Sequence, residues 1–211
     1  MDISGAKEFV IRYLSVRLNP AFHYHDLSHT LDVFESATRI GKLEKVSASD
    51  LIMLQTAALF HDIGMTEQYI DHETASETIA RSILPGFGYS PEEIDHVCIL
   101  ILATKLPACP LMLNEQIICD ADLDYLGRHD FFMRSFQLQV EWHHLGILSL
   151  NPVEWLEYEV CFLEQHDFYT HSAKSTRGAG KQQNLDHMKL FLKSIKKNKP
   201  GKQKHHGKKI Q

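Results

Sequence analysis

The apolar residues of this chain recur at helical spacing almost throughout, and no segment shows the period-two alternation with hairpin chemistry that a strand would need. Phe9, Val10, Tyr13, Leu14 and Leu18 set the i, i+3, i+4 pattern, and Asn19-Pro20 ends that first helix. The same reading predicts helices over 27–40 (stopped by Gly41), 51–62 (capped by Ser49-Asp50, with Gly64 at its exit), 71–84 and 90–103. Further helices are predicted over 114–126, 131–144, 152–165 and 185–195. Ser90-Pro91-Glu92-Glu93 is a strong start signal, with a cap, a first-turn proline and two acids at the positive end of the helix dipole. The polar, glycine-containing stretch 170–181 reads as a loop or a frayed helix start. The fold class is therefore all-α, a single multi-helix domain over 1–196 with a disordered basic tail over 197–211.

Charge and composition exclude several classes. The net charge of -5 over 211 residues hides nine Lys and no acid in 189–211, which leaves the body at -14. Phosphate neutralisation needs basic surface on the fold itself, so the acidic body argues against a nucleic-acid polymer as partner. The longest strictly apolar run, 97–103, is far shorter than the roughly 20 residues of a spanning helix, so no membrane is expected. The N-terminus MDISGAKEFVIRYL lacks a basic n-region and a cleavage site, and Cys98, Cys109, Cys119 and Cys161 show no framework spacing. They read as buried thiols of a reducing compartment, and the expected location is cytoplasmic. Trp142, Trp155 and the Phe and Tyr residues fall at helical spacing and read as core packing, with one aromatic serving as a nucleobase clamp as the alternative.

The 14 His prompt a search for metal or acid–base chemistry. Three segments carry the relevant residue types. His25 and His29 lie four apart, which on a helix places both rings on one face. His61-Asp62 follows the apolar run LIMLQTAALF, where two polar groups are costly to bury unless something satisfies them. Asp120, Asp122 and Asp124 fall within five residues of an otherwise apolar helix, so at least one should point inward. Two His with two carboxylates are a sound ligand set for a divalent metal.

This order resembles the HD superfamily of metal-dependent phosphohydrolases, an all-α fold defined by a His…His-Asp…Asp pattern. YHDLSHTLDV is similar to the YHNxxHxxDV signature of its cyclic-nucleotide phosphodiesterases, AALFHDIG to its apolar-then-HD motif, and CDADLDYLG to its last-Asp helix. The resemblance spans about 20–170. It implies His29, His61, Asp62 and Asp122 as metal ligands, with Asp62 bridging if two metals bind and serving the catalytic step. It makes His25 the candidate general acid toward a leaving oxygen. The cofactor implied is one or two divalent ions: Mn, Fe, Ni, Zn, Co or Mg. Asp26 either adds its charge beside His25 or caps the helix, and Asp32 either orients a ligating His or is an exposed acid. His72 is either a further ligand or a helix cap. Leu106 stands where relatives often carry a second-metal His, which argues against a complete binuclear set.

The implied substrate is a small phosphate ester, nucleotide-like, and its phosphate needs cations. Lys105 and Arg128 follow motif-bearing helices and are the candidate contacts; Arg177 and Lys181 lie in TRGAGK, which lacks P-loop spacing. His166 or Thr170 could line the site, although a satisfied helix-end His is the plainer reading. Two other functions compete: a non-catalytic nucleotide-sensing module that keeps the pocket, and an oxidative di-iron enzyme, which Leu106 disfavours.

Overall fold

Helix α3 (Ala48–Phe60) is the hub of the molecule, because a segment as apolar as LIMLQTAALF finds no solvent-facing side. Met53, Leu54, Ala57, Ala58, Leu59 and Phe60 are all buried. Around it pack α1 (Ile3–Arg17), α2 (Leu27–Leu43), α5 (Pro91–Ala103) and α6 (Leu113–Asp122). Helix α4 (His72–Ile83) lies against α5, and α8 (Pro152–Gln165) against α9 (His171–Lys197). Helix α7 (Phe131–His144) meets the 3₁₀ turn Asp124–Gly127, and further 3₁₀ turns cover Ile63–Thr66 and Leu84–Phe87. A computed structural model describes residues 1–197, with no strand among them; the expected tail beyond 197 lies outside the described residues. No helix among the described residues is long and apolar enough to cross a membrane.

The architecture is the all-α bundle that the periodicity predicts, with four local corrections. Ser47, not Ser49-Asp50, caps α3 by accepting the Asp50 N–H at 3.0 Å. Gly41 does not stop α2; a Cβ there would come within 3.0 Å of Leu51, so the glycine lets α2 approach α3. The expected helix 114–126 breaks into α6 and a 3₁₀ turn. Cys109 and Cys161 are exposed, and only Cys98 and Cys119 are buried.

Of the two readings of 170–181, a loop or a frayed helix start, the second is nearer: residues 171–181 are the first part of the 27-residue α9, which also takes in the helix expected over 185–195. The glycines that suggest a loop instead permit a close crossing. A Cβ on Gly180 would sit 2.1 Å from the Gly127 carbonyl oxygen, and one on Gly127 would sit 2.4 Å from that of Arg177. Glycine costs helix propensity, and burial against the 124–127 turn offsets it. The turn is further tied to α9 by Asn184 Nδ2, which donates to the carbonyls of Leu126 and Arg128 at 2.9 Å.

Candidate metal centre

Asp26 opens α2 as its cap, its side chain accepting the His29 N–H at 2.8 Å, which settles its role. The cap aims His29, one turn in, toward the exit of α3. There His61 donates Nδ1–H to the Ala58 carbonyl at 2.9 Å, which leaves Nε2 as the free donor atom. Gly64 makes the next approach possible: a Cβ would lie 2.1 Å from the His72 carbonyl oxygen and 2.5 Å from Ser76 N. The start of α4 therefore seats directly on the turn after His61-Asp62. Ser76 Oγ donates to the His61 carbonyl at 2.6 Å and accepts Gly64 N–H at 2.8 Å.

Four side chains converge. His29 Nε2 lies 3.4 Å from His61 Nε2, 3.1 Å from Asp122 Oδ1 and 3.4 Å from Asp62 Oδ2. His61 Nε2 lies 3.2 Å from Asp62 Oδ2 and 3.5 Å from Asp122 Oδ1. For metal–ligand bonds of about 2.1 Å, neighbouring donors are separated by about 3.0–3.4 Å, so the spacings among His29, His61 and Asp122 fit one shared cation, with Asp62 Oδ2 beside both imidazoles. Asp62 Oδ2 is buried with no hydrogen-bond partner among the described residues, although it faces both imidazoles. An orphaned carboxylate oxygen amid such donors is the state that a bound cation would satisfy. His29, His61 and Asp122 each offer a ligand atom within 4.8 Å of the others.

The electrostatics follow from mutual contact. Burial opposes the charged form of His61, but Asp62 and Asp122 overcome it and raise its pKa well above the ordinary value. Burial likewise works against the charge of Asp62 and of Asp122, and the imidazoles beside them hold both below the carboxylate range.

His72 is a member of the cluster, not a cap. Its Nδ1 donates to the Tyr69 carbonyl at 3.0 Å, and Nε2 lies 3.2 Å from Asp62 Oδ1 and 3.6 Å from Glu73 Oε1. Asp62 thus turns one oxygen to the His29–His61 pair and the other to His72. Leu106 offers no donor on this side.

The triplet of acids divides three ways. Only Asp122 reaches the histidines. Asp120 accepts the N–H groups of Tyr169 and Thr170 at 2.8 and 2.7 Å and the Thr170 hydroxyl at 2.7 Å. Asp124 pairs with Arg39 at 2.5 Å and Arg177 at 2.8 Å.

A cavity of about 390 Å³ opens beside the cluster, with His25, Asp62, His72 and Asp122 in its wall, while His29 and His61 stand behind the carboxylates. His25 Nδ1 is held by Glu141 Oε1, and Glu141 Oε2 accepts the N–H groups of Tyr24 and His25 at 2.8 and 3.0 Å. Tyr69 donates its hydroxyl to Glu141 Oε1 at 3.1 Å and accepts Trp142 Nε1–H at 2.7 Å. Burial works against the Glu141 charge, and the His25 ring keeps the group ionised below the usual carboxylate range. Glu141 escapes sequence reasoning, because an acid in a helix reading EWHH looks like solvent-facing charge.

The other expected contacts separate. Lys105 lies on the cavity rim and pairs with Asp71. Arg128 is not in the cavity wall; it pairs with Asp130 and, at 3.1 Å, with Asp32. Asp32 also takes Arg134 at 2.6 Å, so it orients arginines and no ligating His. His166 and Thr170 do not line the cavity. His166 is also not a satisfied helix-end His: neither ring nitrogen has a hydrogen-bond partner among the described residues. Trp142 and Tyr158, expected as core, do line the cavity.

The HD domain profile matches residues 26–124, which span every member of the four-donor cluster. A Clostridium beijerinckii protein is 38% identical over 77 residues, 35% of this chain, and the match spans about half (48%) of that protein's length. Among solved structures, a predicted HD superfamily hydrolase from an uncultured Thermotogales bacterium superposes with TM-score 0.62 at 22% identity, covering 91% of this chain and 92% of that one. Bacillus subtilis YpgQ, in complex with ADP, superposes with TM-score 0.63 at 18% identity over 94% and 98% of the two chains. A Lactobacillus plantarum protein gives TM-score 0.67 at 16% identity over 93% and 95%. The profile match falls on the converging histidines and aspartates, so residues 26–124 match an HD domain, and the helical bundle around them is shared with those structures.

Proposed function

We propose that this protein is a metal-dependent phosphohydrolase acting on a small, nucleotide-like phosphate ester. The observation that carries the reading is the converging set His29, His61, Asp62 and Asp122, with Asp62 Oδ2 orphaned and the two carboxylates open to one cavity. These residues would hold a divalent ion, with His72 and Glu73 positioned to help hold a second through Asp62 Oδ1. When bound, such an ion supplies Lewis acidity toward a phosphoryl oxygen and lowers the pKa of water.

The chain's own groups do the rest. His25 borders the cavity with Nδ1 engaged by Glu141, so Nε2 is the nitrogen left to hold a proton for the departing oxygen. Glu141 fixes that tautomer and offsets the imidazolium charge, while Tyr69 and Trp142 keep Glu141 in place. Lys105, in the cavity wall, is the cation that would meet the outer phosphate oxygens by exchanging its partner Asp71 for them. Arg128 is committed to Asp130 and Asp32, and the proposal leaves it there. The ADP complex of YpgQ, which shares the fold, supports a nucleotide as the substrate class.

Metal analysis of the purified protein, followed by phosphate release from nucleoside mono-, di- and triphosphates and cyclic nucleotides with Mn, Ni, Co or Mg, tests the reading. Release from at least one ester is expected. Absence of release from every ester while metal is bound would overturn it, and nucleotide binding without turnover would favour the sensing module.

A further inference from the structure

The proposed chemistry uses one end of the cavity and leaves part of its wall, Trp142 apart, without a task. That wall is built by α7 and α8, with Leu138 and Trp142 from the first and Tyr158, Glu159 and Phe162 from the second. Trp142 and Tyr158 meet edge to face, their centroids 5.7 Å apart. Within this apolar and aromatic surround lies Glu159, only 2% exposed. Ser135, beside its carboxyl, accepts Trp155 Nε1–H at 3.0 Å. Glu159 Oε2 is left buried without a partner among the described residues.

An acid buried at the wall of a cavity with one oxygen unsatisfied is costly, and a ligand N–H would remove that cost. Glu159, Tyr125 and Asp122 line the same cavity, so the carboxyl shares its space with the donor cluster. A cavity of about 390 Å³ is within the usual range for a small-molecule site.

We propose that Glu159 is a specificity-determining contact, its Oε2 accepting an N–H from an amino-bearing nucleobase that packs against the rings of α7 and α8. The assignment rests on the phosphohydrolase reading for the phosphate end and adds the class of the organic part. Ring stacking alone tolerates any base, because every base has a π face. A single buried acceptor discriminates more sharply, since a ligand lacking the donor leaves it unpaired.

Calorimetric titration of the Mn-loaded protein with AMP, GMP, CMP, ribose 5-phosphate and inorganic phosphate tests this. At least one of the three nucleotides should bind about tenfold or more tightly than ribose 5-phosphate. Glu159→Leu should remove about tenfold from that nucleotide's affinity and leave ribose 5-phosphate unchanged. Glu159→Gln, close to isosteric, checks that the loss is not one of folding. Equal weakening of all ligands, or an unchanged nucleotide affinity, would overturn the proposal. So would wild-type protein that binds none of the nucleotides better than ribose 5-phosphate, a comparison that needs no variant. Glu159-dependent nucleotide binding without phosphate release would retire the hydrolase reading and keep the base contact.

Discussion

At one end of the cavity, donor atoms from α2, the α3 exit and α6 crowd within 3.1–3.5 Å of one another; at the other, α7 and α8 present rings around a single carboxyl. Both ends bury acids, and their pKa values move in opposite directions. Asp62 and Asp122 are held down by the imidazoles they touch, in spite of burial. Glu159, which has a serine but no imidazole for company, is pushed up by burial to about 7. Charge partners, not residue type, decide whether a buried acid is an anion at neutral pH. The first end is therefore suited to holding a cation, and the second to taking a single hydrogen bond.

The sharpest way to break the comparison is to remove a group from the first end. Asp122→Ala should abolish both metal retention and phosphate release, read by metal analysis and turnover, whereas Glu159→Leu should leave metal content untouched. His25→Ala should keep the metal and slow turnover by roughly 10²–10⁴-fold. Glu141→Gln should also keep the metal and slow turnover by about 10–100-fold, because it acts through the His25 ring. Loss of metal in either variant would place His25 or Glu141 in the ligand set instead.

The second end is tested by pH. Because the Glu159 pKa is raised on folding, its contribution is present below about pH 4.3 and is lost as pH rises through about 7. Relative to Glu159→Gln, wild type should lose on the order of 3 kcal/mol between pH 4.5 and 8, measured by urea denaturation. A flat difference would mean that Glu159 is solvated or paired. The smallest effects concern α9, whose packing holds the 124–127 turn next to Asp122. Gly180→Ala should cost about 1–3 kcal/mol, because its methyl would strike the Gly127 carbonyl. Gly178→Ala, with nothing within 4 Å, should instead stabilise by up to about 1 kcal/mol through helix propensity.

Those two glycines show why one part of the fold is legible in the sequence and another is not. Glycines in a polar stretch read as a loop, and nothing local says that Gly180 faces the backbone of Gly127. The acids of 120–124 pose the same difficulty, since periodicity leaves open which one turns inward. The match of CDADLDYLG to the last-Asp helix selected Asp122, and Arg39, Arg177 and Thr170 explain the other two. Glu141 and Glu159 had no signal, because each occupies an ordinary helical position and is buried only when α7 and α8 dock.

By itself the sequence determined most of the helices, because propensity and capping act within a few turns, and the resemblance of its three motifs to the HD superfamily named His25, His29, His61-Asp62 and Asp122 as candidates. The tertiary structure alone decided that His72 meets Asp62, that Arg128 turns to Asp32, that Glu141 grips His25 from 116 residues away, and that Glu159 is enclosed. Those pairings depend on which helix faces come together, and buried area, charge neutralisation and close backbone approach settle that only once the whole chain has packed.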